Sequence, residues 1–322
     1  MIPAEWLDEA RARLVGEVRH TPMTFDSEHG VYLKWENRQL TGSFKVRGAF
    51  NKVLSLQPWE RERGLVTASA GNHGQGVALA VQRSAAHAIV FASEQAVPAK
   101  LEAMRAMGAE VRLVPGLYAE AEQAGIHFAR EMNMTWISPY NDAQVIAGQS
   151  TLGFEIIQDL AAVGENSENL AVLIPVGGGG LAAGVGLALQ RMVPRPRLIG
   201  VQPVTSPYFH GLYYRGSQEG IVESPTLADG LEGPVEAGSL TIPLVRSLLD
   251  EFVLVEEDEI GRAVAMAYRR YGEVIEGSAA AALAAVLSGK ITLRPVVVLL
   301  TGGNLQPEVH RELVSHWMDT TW

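Results

Sequence analysis

Leu170-Ala171-Val172-Leu173-Ile174-Pro175-Val176 runs straight into Gly177-Gly178-Gly179-Gly180-Leu181, and that join decides the fold. A short, continuously apolar run fits a strand buried on both faces. The glycines end it, and an alanine-rich helix is expected over 180–192. Two further joins have the same form. Ser69-Ala70-Gly71-Asn72-His73-Gly74 follows an apolar strand at 65–67, and Thr301-Gly302-Gly303-Asn304 follows one at 295–300. The chain alternates around them, with strands expected at 31–35, 88–91, 111–114, 136–137, 198–201 and 252–255. Helices are expected at 76–82, 98–107, 118–132, 150–160, 257–271 and 278–287, and 202–234 reads as a long irregular loop. Short apolar strands separated by helices predict an α/β fold of two open, largely parallel sheets covered by helices. In such sheets ligands bind beyond the carboxyl ends of the strands, where all three glycine loops lie.

Composition narrows the function. The chain has 322 residues, 47% of them hydrophobic, enough for two domains with real cores. Its formal net charge is -10 and it has no lysine-rich run, so neither nucleic acid nor an anionic membrane is expected as a partner. There is no cysteine, which removes disulfides, thiolate nucleophiles and cysteine metal sites. The first fourteen residues mix Glu5, Asp8, Glu9, Arg11 and Arg13 with apolar side chains, as an amphipathic helix does and a signal peptide does not. A cytoplasmic protein without membrane spans is expected.

One lysine stands out. Thr41-Gly42-Ser43-Phe44-Lys45-Val46-Arg47-Gly48-Ala49 opens a helical pattern over 45–56, with Ser43 as the expected N-cap. Lys45 then sits in the first turn, where the helix dipole disfavours a cation and favours the neutral, nucleophilic amine. The four-glycine run exposes successive backbone N–H groups at a helix start, which suits a phosphate. A dinucleotide is the weaker candidate, because the residue that should hold a ribose, after the strand at 198–201, is Gln202 and not an acid. A Walker lysine is also absent. Pyridoxal phosphate, which carries both a phosphate and a carbonyl that a lysine can capture, fits better.

These motifs, with Val145-Ile146-Ala147-Gly148-Gln149 and Ala228-Asp229-Gly230, resemble over nearly the whole chain the pyridoxal-phosphate-dependent serine/threonine dehydratase and serine racemase family, of the tryptophan-synthase-β-like fold type II. The resemblance implies that Lys45 is the Schiff-base lysine and Phe44 packs beside the ring. It implies that Asn72 bonds the 3-oxygen and that Gly177, Gly178, Gly179, Gly180 and Leu181 hold the phosphate. Thr301 would face the pyridine nitrogen, and Glu276 would be an acid near the ring, its other reading being an acid at a helix N-terminus. Ser69, Ala70, Gly71, Asn72 and His73 would receive the substrate carboxylate, with His73 orienting. The implied activity is β-elimination from L-threonine or L-serine to a 2-keto acid and ammonia. Racemisation, a bulkier or acidic β-hydroxy substrate such as phenylserine or 3-hydroxyaspartate, or a sensor without turnover are the alternatives.

Two departures sharpen this. Racemases of the family carry a second serine where Ala70 stands, and alanine has no proton to give. At the family's divalent-cation site this chain has Gln202, Ser206 and Tyr208, so no metal is expected there. The chain ends shortly after Asn304, so no C-terminal regulatory domain is expected. A homodimer is the family's usual form. The expected domains are 1–50 with 144–322, binding cofactor, and 51–143, smaller and mobile.

Overall fold

The structure, a computed structural model, describes residues 2–165 and 168–317. Among them the strands are β1 (Met23–Asp26), β2 (Val31–Trp35), β3 (Leu65–Ala68), β4 (Ala88–Ser93), β5 (Glu110–Val114), β6 (Thr135–Trp136), β7 (Ala171–Pro175), β8 (Arg197–Pro203), β9 (Glu251–Val255) and β10 (Val296–Leu300). They form a six-stranded sheet in the order β1-β2-β10-β7-β8-β9 and a four-stranded sheet in the order β5-β4-β3-β6. Every pairing is parallel except β1 with β2. Two largely parallel sheets are what the apolar runs predict.

The chain divides into two compact units, Met1–Arg19 with Phe44–Thr151, and His20–Ser43 with Leu152–Trp322. These bounds differ from the expected 51–143 because the helix Lys45–Ser55 packs with the four-stranded sheet. Its Val46, Ala49, Phe50 and Val53 share one core with Leu65, Val77, Val81, Ile137 and Val145. Each of the valine and phenylalanine side chains taken from water is worth about 1.5–3 kcal/mol, so this helix belongs with the core it packs against. The helix Ala143–Ala162 contains the division after Thr151.

In the first unit, glycine sets the helix spacing. A Cβ on Gly148 would stand 2.6 Å from the Arg47 carbonyl oxygen and 2.7 Å from the Gly48 Cα. Only a residue without a side chain lets those two backbones meet. Strand β3 lies between β4 and β6, so the loops leaving β3 and β6 emerge side by side.

In the second unit, β2, β7, β8 and β10 are buried against the helix Gly277–Leu287, whose Ala279 to Leu283 are all inaccessible or nearly so. The helix Glu257–Tyr271 covers it, opened by a Glu256–Glu259 capping box and ended by Gly272 at φ 69°. Strands β10 and β7 are parallel neighbours, with Val298 opposite Leu173. Their following loops, at Thr301 and at Gly177, therefore leave the sheet at the same edge.

Sequence reading missed β1 and the helices Pro58–Arg63, Thr241–Leu248 and Pro307–His316. The expected loop at 202–234 contains the helix Tyr208–Arg215 and a 3-10 turn, Asp229–Leu231. The helix expected from residue 76 starts at Asn72. Gly74, read as a loop residue, is helical, held there by close packing.

Candidate active site

The first unit holds the lysine. Lys45 is the first residue of the helix Lys45–Ser55, as expected, but Ser43 is not its cap. Phe44 occupies the N-cap position, in helical geometry, while Ser43 forms an isolated bridge with Gly302 and its hydroxyl is buried without a hydrogen-bond partner. The amine of Lys45 donates to the Pro139 carbonyl at 3.1 Å, and its nitrogen lies 5.3 Å from the centre of the Phe44 ring.

The loop after β3 lies in the same unit. Gly76, one turn past Asn72, faces Lys45: a Cβ there would stand 3.3 Å from the Lys45 carbonyl carbon, the Val46 Cα and the Ala49 Cβ. That approach fixes the helix bearing Asn72 and His73 against the helix bearing Lys45. Ser69 turns the loop, its hydroxyl accepting the Gly71 N–H at 3.1 Å. Ser69, Ala70, Gly71 and Asn72 are partly exposed, and open space faces Gly71. His73 is buried, with Nε2 3.4 Å from the Ile137 carbonyl oxygen. A carbonyl only accepts, so Nε2 carries the proton. Burial, and then the Lys45 charge, depress this imidazole to about 3. It is neutral at physiological pH.

The second unit holds the glycine run and its surroundings. Gly177, Gly178 and Gly179 leave β7, and Gly180 opens the helix Gly180–Leu189 with Leu181 buried behind it. Gly179 has φ 85°, and a Cβ on it would stand 2.6 Å from Phe209. A Cβ on Gly177 would meet the Gly230 carbonyl oxygen at 3.0 Å. The run is thus walled on its far side, and a row of side-chain-free amides at a helix start fits a phosphate. At the neighbouring strand end, Thr301 is buried and Glu276 meets Gly302, the next residue. The Glu276 N–H donates to the Gly302 carbonyl, and a Cβ on Gly302 would stand 2.5 Å from Glu276 Oε1. Glu276 does stand at the N-cap of the helix Gly277–Leu287, but its side chain makes no capping bond. Its carboxylate is turned toward Gly302 instead.

Two of the positions read for a metal, Gln202 and Ser206, make other hydrogen bonds. Gln202 accepts the His210 N–H, and the Ser206 hydroxyl donates to Glu223 at 2.6 Å. Elsewhere among the described residues Asp26, Glu28 and His29 converge, but the Asp26 carboxylate already accepts two bonds from Arg270 and one from Tyr271. Sequence reasoning missed the carbonyls of Ile137 and Pro139 and the wall made by Phe209 and Thr241, since only the fold reveals what backs a glycine run.

Three comparisons bear on this arrangement. Residues 15–302 match a family model described as "Pyridoxal-phosphate dependent enzyme". The chain is 39% identical over 322 residues to the L-threonine ammonia-lyase of Thermotoga maritima, covering 98% of this chain and 79% of that protein. It is 39% identical over 329 residues to the L-threonine dehydratase catabolic TdcB of Staphylococcus aureus, covering 97% and 92%. Among solved structures it resembles threonine deaminase isoform 2 from Solanum lycopersicum, with a TM-score of 0.86, 30% identity and coverage of 97% and 94%. Maize serine racemase gives a TM-score of 0.86 at 27% identity, covering 98% and 97%.

Proposed function

Since the chain belongs to the pyridoxal-phosphate dependent enzymes, we propose that it is an ammonia-lyase removing the β-hydroxyl and the amino group of L-threonine or L-serine. The observation that carries this reading is the Gly76–Lys45 contact, which packs the helix that Lys45 opens against the helix that Asn72 opens. When bound, the cofactor supplies an electron sink for the bond that breaks.

Lys45 would hold the cofactor through its amine, with Phe44 packed beside the ring. Asn72 would donate to the 3-oxygen, and the amides of Gly177 to Leu181 would take the phosphate. Lys45 Nζ would also be the base that takes the substrate's α-proton. The loop Ser69, Ala70, Gly71, Asn72 and His73 would orient the substrate carboxylate, and a neutral His73 adds no competing charge. The Thr301 hydroxyl would donate to the ring nitrogen, and a hydroxyl leaves that nitrogen unprotonated where a carboxylate would protonate it. In this way Thr301 would favour loss of the β-hydroxyl over return of the α-proton. Glu276 stands beside that position as the nearby acid. The β-hydroxyl leaves as water and one water is taken up again when the released enamine is hydrolysed, so the net products are ammonia and a 2-keto acid. Tyr140, partly buried in the loop after β6, would limit the substrate's β-substituent.

The test is ammonia and keto-acid release from a panel of serine, threonine, phenylserine and 3-hydroxyaspartate. No release from any of them rejects the reading. Release from phenylserine or 3-hydroxyaspartate alone rejects the substrate. A racemase would need a proton donor at Ala70, where the side chain is a methyl group. Among the described residues no helix is long and apolar enough to cross a membrane. We propose a cytoplasmic homodimer, and sedimentation of the purified protein tests the dimer.

A further inference from the structure

Behind the glycine run lies a closed set of hydrogen bonds that the reaction itself does not use. The Thr241 hydroxyl donates to the Gly178 carbonyl at 2.7 Å. It lies 2.8 Å from the Ser239 hydroxyl, which in turn accepts the Thr241 N–H at 3.3 Å. Thr241 is 0% exposed and Ser239 2%. The proton directions follow from valence. The Gly178 carbonyl can only accept, so the single Thr241 hydroxyl proton goes there. Ser239 must then donate to Thr241, and both hydroxyls are satisfied away from water.

This fixes one peptide plane. In a trans peptide the C=O of one residue and the N–H of the next point in opposite directions. Holding the Gly178 carbonyl toward Thr241 therefore aims the Gly179 N–H away from it. Gly179, at φ 85°, has freedom to turn otherwise, because glycine populates several basins. We propose that Thr241, steadied by Ser239, is a positioning residue that aims the Gly179 amide into the anion site, so that preference for the phosphorylated cofactor depends on one buried hydroxyl. This rests on the reading that the glycine run takes the phosphate.

The test strips and reconstitutes wild type, Thr241→Val and Thr241→Ser with pyridoxal phosphate and with pyridoxal, measuring the dissociation constant of each by cofactor absorbance. Valine keeps the shape and removes the donor; serine keeps the donor. Thr241→Val is expected to weaken pyridoxal phosphate about tenfold, as loss of about 1.4 kcal/mol would, and to leave pyridoxal unchanged. Thr241→Ser should keep the wild-type ratio. Unchanged constants in Thr241→Val, or an equal loss for both cofactors, overturn the proposal. If wild type itself shows no preference for the phosphorylated form, the phosphate reading of the glycine run fails instead.

Discussion

Gly76 meets the backbone of Lys45 so closely that an added Cβ would stand 3.3 Å from the lysine's carbonyl carbon. The atoms it would press on are mostly main chain, which cannot swing aside as a long side chain can. Gly76→Val should therefore push the two helices apart, at a cost of about 1–3 kcal/mol in stability. The proposed lyase activity should fall further than the stability does, because an ångström of misplacement can cost about a hundredfold in rate. Melting temperature and kcat of the soluble variant check this. A variant as active as wild type would mean that the contact does not position the amine.

Lys45 itself is the sharpest substitution. Lys45→Ala removes the amine, and ammonia release from threonine should drop at least about 10²- to 10⁴-fold, the usual worth of a positioned proton acceptor. Lys45→Arg should be equally inactive, since a guanidinium keeps its proton. Both variants should lose the absorbance of covalently held cofactor while keeping the wild-type circular dichroism. Retention of that absorbance in Lys45→Ala would place the covalent link elsewhere.

Much of this was legible in the sequence because the strands are short apolar runs that two buried faces require. Val31–Trp35 and Glu257–Tyr271 have the expected bounds. The three glycine loops were equally plain, since each interrupts an apolar run. What escaped was set by tertiary context. Ser43 has the chemistry of a cap, but Phe44 takes the N-cap position and the Ser43 hydroxyl is buried without a partner. Gly74 and Gly76 have poor helix propensity, yet a Cβ on Gly74 would stand 2.4 Å from the Met104 sulfur, so packing and not propensity selects them. Strand β1 is an antiparallel edge with Thr24 and Phe25 exposed, so it lacks the continuous apolar run that marked the others. Thr241 carries no local signal, because its role is visible only once Gly178 is in front of it.

His73 should make the protein sensitive to acid. Its folded value is about 3, lowered from 6.5 first by burial and then by Lys45. As pH falls through 6.5 the unfolded chain takes up a proton that the folded one refuses, so stability present above that pH is lost on the acid side. The loss is about 1.4 kcal/mol per pH unit, or about 2 kcal/mol by pH 5. His73→Asn removes this titration, so its melting temperature should fall less steeply between pH 6.5 and 5, whatever its starting stability. An identical slope in the two proteins would show that the imidazole is not held neutral.

Thr301→Asp should redirect the chemistry. The site is buried, and the Glu276 carboxylate already lies next to residue 302. A second carboxylate so near raises the affinity of the pair for a proton, and one of the two should titrate well above the ordinary range. At pH values where the new acid is ionised, it would hold the ring nitrogen protonated and strengthen the electron sink. The α-proton would then be exchanged more often per hydroxyl lost. Ammonia release from threonine should fall about tenfold or more, and deuterium from solvent should enter recovered substrate, with a pH dependence that wild type lacks. Thr301→Ser should behave like wild type, because the donor is kept. If Thr301→Asp eliminates at the wild-type rate with no added exchange, the hydroxyl at this position does not face the ring nitrogen.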